Sequence, residues 1–270
     1  MTTTLPRLKW HRLRRRATDA SHLLANLEPG LRAPAAVEVD IVVTKDGDFV
    51  CLHDLTLDRE TTGTGSVRQA DRATIARLRQ RGNQGAALAT APLFLDEVVA
   101  AARSAGSPPT GLIQLDLKEP AADLGEAERA RLEAILGDMA PCFTLAGTEW
   151  EGVQKLAVGT HLGFDPLDLY GNDSPASAAG FIALAERTLE IAPGVQIYYL
   201  YHKLVFAGLD QGVSLIEIVK RHGAEVDCWT LDPTTPGIET ILRRLVALGC
   251  DQITTNDPTA MAALLNEAHA

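Results

Sequence analysis

The chain has 270 residues, 46% of them hydrophobic and 22% charged. These are ordinary globular proportions and argue against disorder, collagen and low complexity. Its 25 basic and 35 acidic residues leave a net charge of −10, which disfavours a general nucleic-acid binder and means that a phosphate-bearing ligand would need local positive charge or a metal ion.

A first strand closes at His11. Val37 to Val43 reads as a second strand, Lys45-Asp46-Gly47-Asp48 as a turn, and Phe49 to Leu52 as a short return strand. Helical spacing follows over Thr74 to Arg81 and Leu95 to Ser104, the second with Asp96 and Glu97 in its first turn. Strands are predicted at Gly111 to Leu117, Val195 to Leu200, Glu225 to Thr230 and Gln252 to Thr254. Helices are predicted at Glu126 to Leu136, Ala178 to Ile191, Leu215 to His222, Ile238 to Leu248 and Thr259 to Ala268. Strand alternating with helix implies parallel strands joined by helical crossovers. A chain of this length suits one closed (β/α)8 TIM barrel, expected as a single domain over 1–270 with a small insertion within 60–110. The open doubly wound sheet is the competitor, weakened because no Gly-x-Gly-x-x-Gly loop follows the first strand.

Cys51, Cys142, Cys228 and Cys250 are far apart and form no Cys-x-x-Cys pair, so reduced buried thiols are expected. The basic run at Arg7 to Arg16 is followed by no apolar stretch of signal-peptide or membrane-span length. The expectation is a cytoplasmic protein without stable membrane insertion. A homo-oligomer stays open.

Barrel enzymes carry their reactive groups at the C-terminal ends of the strands. Glu38 and Asp40 lie two apart in an apolar strand and share a face, as do Asp116 and Lys118. His11 closes the first strand, His53-Asp54 follows the return strand, and Trp229 ends the strand from Glu225. Three converging carboxylates repel one another, and a divalent cation removes that conflict. Hard oxygen donors suit Mg²⁺, Ca²⁺ or Mn²⁺. Two histidines can pass protons near neutral pH, and Arg12 and Lys118 can pair with a phosphate. Arg14, Arg15 and Arg16 read as a solvated basic cluster, and His161, His202 and His222 as structural.

The stretch Glu38-Val-Asp-Ile-Val-Val-Thr-Lys-Asp-Gly-Asp-Phe-Val-Cys-Leu-His-Asp54 resembles the glycerophosphodiester phosphodiesterase family. Leu57-Asp-Arg-Glu-Thr-Thr-Gly63 continues the likeness. His11-Arg12, Leu112-Ile-Gln-Leu-Asp-Leu-Lys118, Cys228-Trp-Thr-Leu-Asp232 and Thr254-Thr-Asn-Asp-Pro258 extend it across the chain in order. The resemblance implies hydrolysis of a small-molecule phosphodiester to an alcohol and sn-glycerol 3-phosphate, with one divalent cation, Mg²⁺ or Ca²⁺ first. It implies Glu38, Asp40 and Asp116 as metal ligands, and His11 and His53 as the acid/base pair, with their order left open. Arg12, Lys118 and Trp229 would line the phosphate and substrate. A hydroxyl of the substrate would attack phosphorus to give a cyclic diester that water then opens.

Three departures stand out. Leu13 replaces the family's usual Gly, the Pro-Glu-Asn-Thr segment is not recognisable in Arg14 to Ala25, and Asp116 replaces a usual Glu. They leave the metal-and-histidine set complete and alter the pocket. Two alternatives are a sphingomyelinase D-like phospholipase D and a non-catalytic ligand-binding barrel. Thr44-Lys-Asp-Gly47 and Leu57-Asp-Arg59 favour the glycerophosphodiesterase side.

Overall fold

The computed structural model describes residues 4–32, 35–106, 108–171 and 174–269. Nine strands lie among the described residues: β1 Arg7–Trp10, β2 Ala36–Val43, β3 Phe49–Val50, β4 Ile113–Leu117, β5 Phe143–Ala146, β6 His161–Phe164, β7 Ile197–Tyr201, β8 Glu225–Trp229 and β9 Gln252–Thr255. Eight of them run parallel in the order β1-β9-β8-β7-β6-β5-β4-β2, and pairing of β1 with β2 closes the ring. That closure makes the fold a single-domain (β/α)8 barrel and removes the open-sheet alternative. β3 folds back antiparallel on the far end of β2, Val42 facing Val50. The turn between them needs Gly47, whose φ of 78° lies in the left-handed region.

The helices Leu95–Ser104, Glu126–Leu136 and Ala178–Ile191 occupy the positions their periodicity predicts. In the first, Glu97 accepts the Phe94 N–H at 2.9 Å, which satisfies one of the open donors at the helix start. Thr74 to Arg81 departs from expectation. Only Arg72–Ile75 is helical, because the chain turns back at Gln80 and Arg81 to bridge Thr61 and Ala87. Between β3 and the helix at Leu95 the chain forms a compact rim with its own apolar cluster of Leu52, Leu57, Val67, Ile75 and Phe94.

β5 and β6 carry no strong strand signal. Both are four residues long, and β6 contains Gly163. A side chain there has no room, since a Cβ at Gly163 would lie 2.6 Å from the Tyr199 ring. Helices Trp150–Leu156 and His202–Asp210 lie outside the helices that the sequence predicts.

The core lies mainly between barrel and helices. Val37, Val39, Ile41 and Val43 of β2 and Ile113, Leu115 and Leu117 of β4 point outward into it. Alternation then turns their neighbours inward. The barrel interior is polar: Lys9 is 2% exposed and pairs with fully buried Asp227 at 3.2 Å, bonds Gln114, and lies 4.1 Å from the Tyr199 ring centre. Asp227 also accepts from Gln252 and Thr254, both at 2.7 Å. This layer forms the floor beneath the mouth residues. All four cysteines are free and buried. No helix among the described residues is long and apolar enough to cross a membrane.

Removing one member of a buried ion pair strands the other, at about 3–5 kcal/mol. Asp227→Asn is therefore expected to lower unfolding free energy by roughly that amount in urea denaturation. Unchanged stability would mean that the Lys9 charge finds other compensation.

Candidate active site at the barrel mouth

The inward alternation of β2 and β4 sets the centre of the site. Their register places Asp40 opposite Asp116, with Glu38 one step deeper beside Gln114. Glu38, Asp40 and Asp116 each offer a carboxylate oxygen, and the three atoms lie within 4.8 Å of one another. The residues come from two strands separated by most of a hundred positions, and the fold brings them together.

Positive groups surround them. Arg12 Nε lies 3.0 Å from Asp40 Oδ2, and the Arg12 backbone N–H donates to Glu38 Oε2 at 2.6 Å. Lys118 Nζ lies 2.6 Å from Asp116 and 3.1 Å from Asp40 Oδ1. Arg12 and Lys118, expected at a phosphate, thus contact the carboxylates and also line the cavity. Burial and the neighbouring Asp40 and Asp116 charges push the Glu38 carboxyl up to about 8. Burial acts the same way on Asp40, but Lys118, His22 and Arg12 outweigh it and hold that carboxyl well below the usual range. Burial opposes the Lys118 charge, yet Asp116 and Asp40 raise its pKa above the ordinary lysine value.

Both predicted histidines face this centre. His11 Nε2 lies 4.0 Å from Glu38 Oε2, and Nδ1 is 2.8 Å from Asn256 Oδ1. Asn256 donates its amide N–H to Asp232 at 2.9 Å. A carboxylate only accepts, so the amide oxygen faces His11 and the imidazole hydrogen sits on Nδ1. That leaves the Nε2 lone pair toward the carboxylates. Burial and the adjacent Arg12 lower the His11 pKa to about 3. His53 is held differently. Its Nδ1 is 2.8 Å from Asp54, which Arg59 grips with two bonds of 2.6 Å. The Arg59 bonds are the main reason the Asp54 carboxyl drops to about 2. Glu60 accepts the backbone N–H groups of His53 and Asp54 at 2.8 and 3.1 Å and fixes that turn.

His11, Arg12, Glu38, His53, Asp116 and Lys118 line one cavity of about 250 Å³, whose wall also includes Trp229, Tyr199, Leu167 and Asp165. Trp229 stacks on Tyr201 with ring centres 4.9 Å apart. Asp165 carries no signal in the sequence because β6, which it follows, is unrecognised. Burial and the Asp116 charge raise its pKa well above the carboxylate range. Asn256 was within the matched Thr-Thr-Asn-Asp-Pro segment but not singled out. His22 has no motif at all, yet it packs against Asp40. Arg14 corrects an expectation: its guanidinium bonds Asn256 at 2.9 Å and Ser21 at 2.8 Å, while Arg15 and Arg16 are exposed.

The third position of the opening motif has a physical explanation. Arg12 and Leu13 have φ of 54° and 52°, a region that glycine enters without strain. Leu13 adopts it with its side chain fully buried in the core.

The donor set fits a hard divalent cation. Glu38 Oε1 is buried and accepts no hydrogen bond, and Asp40 Oδ1 meets only the Lys118 ammonium, outside hydrogen-bond geometry. Buried carboxylate oxygens without a donor, on residues whose carboxylates gather within 4.8 Å, are what such an ion satisfies.

Residues 24–115 match the glycerophosphoryl diester phosphodiesterase family profile. A Mycobacterium tuberculosis protein named "Probable glycerophosphodiester phosphodiesterase 1" is 42% identical over 65 residues, 24% of this chain and 23% of its own length. Arabidopsis thaliana glycerophosphodiester phosphodiesterase GDPD4 is 27% identical over 100 residues, 35% of this chain and 27% of its own. The chain thus spans about a quarter of the curated relatives it matches. An Oleispira antarctica phosphodiesterase in complex with the product sn-glycerol-3-phosphate superposes with TM-score 0.69 at 19% identity, covering 97% of each chain. The Thermotoga maritima glycerophosphodiester phosphodiesterase gives 0.66 at 18% identity, covering 97% of this chain and 99% of its own. These two likenesses show the same fold over the whole barrel, including the part beyond residue 115.

The Glu38 shift has a pH consequence. Its carboxyl rises from an ordinary 4.5 to about 8 on folding, so the folded state binds the extra proton between those values. Its contribution is complete below 4.5 and is lost as pH rises through about 8. In a chelator, wild-type thermal stability is expected to fall across that window relative to Glu38→Gln. Parallel pH profiles for the two proteins would remove the shift.

Proposed function

We propose that this protein hydrolyses glycerophosphodiesters to an alcohol and sn-glycerol 3-phosphate with the help of one divalent cation. The observation that carries the reading is the meeting of Glu38, Asp40 and Asp116 within 4.8 Å, at a cavity that Glu38, Asp116, His11 and His53 line. Glu38, Asp40 and Asp116 would hold the cation, Mg²⁺ or Ca²⁺ being the best matches to an all-oxygen site. When bound, such an ion supplies Lewis-acid stabilisation of the charge on a phosphoryl oxygen. Arg12 and Lys118 are assigned to the phosphate, and Trp229 to the wall against which the substrate lies. The product complex of the Oleispira antarctica phosphodiesterase supports sn-glycerol 3-phosphate as the retained half.

The two histidine environments divide the proton transfers. His11 has its hydrogen pinned on Nδ1 by Asn256, so Nε2 is the base that removes the proton from an attacking glycerol hydroxyl. The oxygen–phosphorus bond forms and the bond to the leaving alcohol breaks. His53, whose Nδ1 hydrogen points at ionised Asp54, gives its Nε2 proton to that alcohol. The cyclic diester then opens to water with the two roles reversed. Residues 1–270 are read as one barrel domain, the insertion being the rim between β3 and the helix at Leu95, beside His53.

The test is choline release from glycerophosphocholine with Mg²⁺, Ca²⁺ or Mn²⁺ and again with EDTA. Turnover is expected only with metal. His11→Ala and His53→Ala are each expected to lose at least about a hundredfold in kcat. Full activity after metal removal would overturn the metal role, and undiminished turnover in either variant would overturn the acid/base pair.

A further inference from the structure

His22 belongs to the loop where the family's usual segment is missing, and its environment gives it a task. The ring is 2% exposed. Nε2 lies 3.1 Å from Asp40 Oδ2 and 3.3 Å from the Asp40 backbone nitrogen. β1 pairs with β2 only at Ala36 and Val37, so beyond Val37 the β1-side edge of β2 has no strand against it, and the His22 ring fills that place. The loop is built to put it there. His22 adopts φ of 56°, and its backbone N–H donates to the Arg12 carbonyl at 2.6 Å. Asn26 donates to the Leu13 carbonyl at 2.8 Å and closes the loop from the other side.

Two tautomers are available, and they mean different things. With hydrogen on Nδ1, Nε2 would accept the Asp40 N–H, and His22 would be a cap on a strand edge. With hydrogen on Nε2, the ring donates to the Asp40 carboxylate and orients it. His22 Nδ1 is buried without a partner. Each tautomer leaves one N–H short, the ring Nδ1–H in the first and the Asp40 backbone N–H in the second, so the contact with the carboxylate decides between them. The Nδ1 tautomer would set the Nε2 lone pair against an Asp40 carboxylate oxygen 3.1 Å away, whereas the Nε2 tautomer makes that contact, the shorter of the two, a hydrogen bond. We propose that His22, with its hydrogen on Nε2, is a positioning residue that fixes the Asp40 carboxylate for cation binding, the task of an outer partner to a metal ligand. The inference rests on the assignment of Glu38, Asp40 and Asp116 to a cation.

The test uses Mn²⁺ as the probe, with affinity measured by titration calorimetry and electron paramagnetic resonance. Thermal stability is measured separately in EDTA. His22→Leu keeps bulk and removes the donor, and is expected to weaken Mn²⁺ binding by about 10–100-fold. His22→Gln, whose amide N–H reaches a similar place, is expected to recover most of that affinity. Asp116→Asn serves as the control for the site itself. Long-range ¹⁵N–¹H spectra of the wild-type imidazole should place the hydrogen on Nε2. Wild-type affinity in His22→Leu overturns the proposal, as does a His22→Gln variant no better than His22→Leu. Where His22→Leu fails to fold, His22→Gln and the spectrum still decide, and hydrogen on Nδ1 overturns it. A wild-type protein that binds no Mn²⁺ removes the cation assignment, and the proposal with it, whereas loss of binding in Asp116→Asn alone removes only His22.

Discussion

The mouth of the barrel is governed by a charge conflict. Three carboxylates on neighbouring strands are held within 4.8 Å, two of them fully out of water. Carboxylates in that position cannot all ionise without compensation. The protein divides the problem: Glu38 retains a proton toward neutral pH, while Asp40 stays ionised among Arg12, His22 and Lys118. The same cations that neutralise the cluster line the space where a phosphate would lie. The balance is therefore one that a divalent ion can take over, leaving Arg12 and Lys118 for an anion. A structure that merely buried an ion pair would have no reason to leave Glu38 Oε1 without a donor.

Legibility in the sequence follows how local each constraint is. The β2–turn–β3 block is legible because alternation, a positive-φ glycine and a half-buried His-Asp pair follow one another closely along the chain. β4 was readable for the same reason. β5 and β6 were not, because a short strand buried on both sides has no periodicity to display, and Gly163 answers to Tyr199, far away in the chain. Asp165 was lost along with β6. The charged residues of the centre were legible as types and spacings, but their partners were not: Asn256 for His11, Glu60 for the His53 turn and His22 for Asp40 are set by tertiary approach. Arg14 looked like one of three solvated arginines and differs from its neighbours only in where the first loop turns.

That first loop concentrates the backbone strain of the described residues. Arg12, Leu13 and His22 are the non-glycine residues with positive φ, each costing on the order of 1–2 kcal/mol. Strain of this kind persists only where surrounding contacts hold it. Here they are identifiable. The Leu13 side chain fills the core. The Arg12 backbone N–H meets Glu38, and the Arg12 carbonyl takes the His22 N–H. The residues that pay the conformational penalty are the ones that place a guanidinium, a backbone donor and an imidazole on Glu38 and Asp40.

The departure at Leu13 thus acts on the wall of the site and leaves its chemistry in place. A glycine would reach the same φ without strain, but would leave the space now filled by the leucine side chain. The leucine anchors the loop by burial, and the loop carries Arg14 to Asn256 and His22 to Asp40. Both contacts terminate on groups that touch the centre: Asn256 sets the tautomer of His11, and Asp40 is one of the clustered carboxylates. A first loop built on apolar anchoring can therefore hold an imidazole and a carboxylate in place without a glycine at its third position. The same loop sets the wall beside the cavity that His11 and Arg12 line.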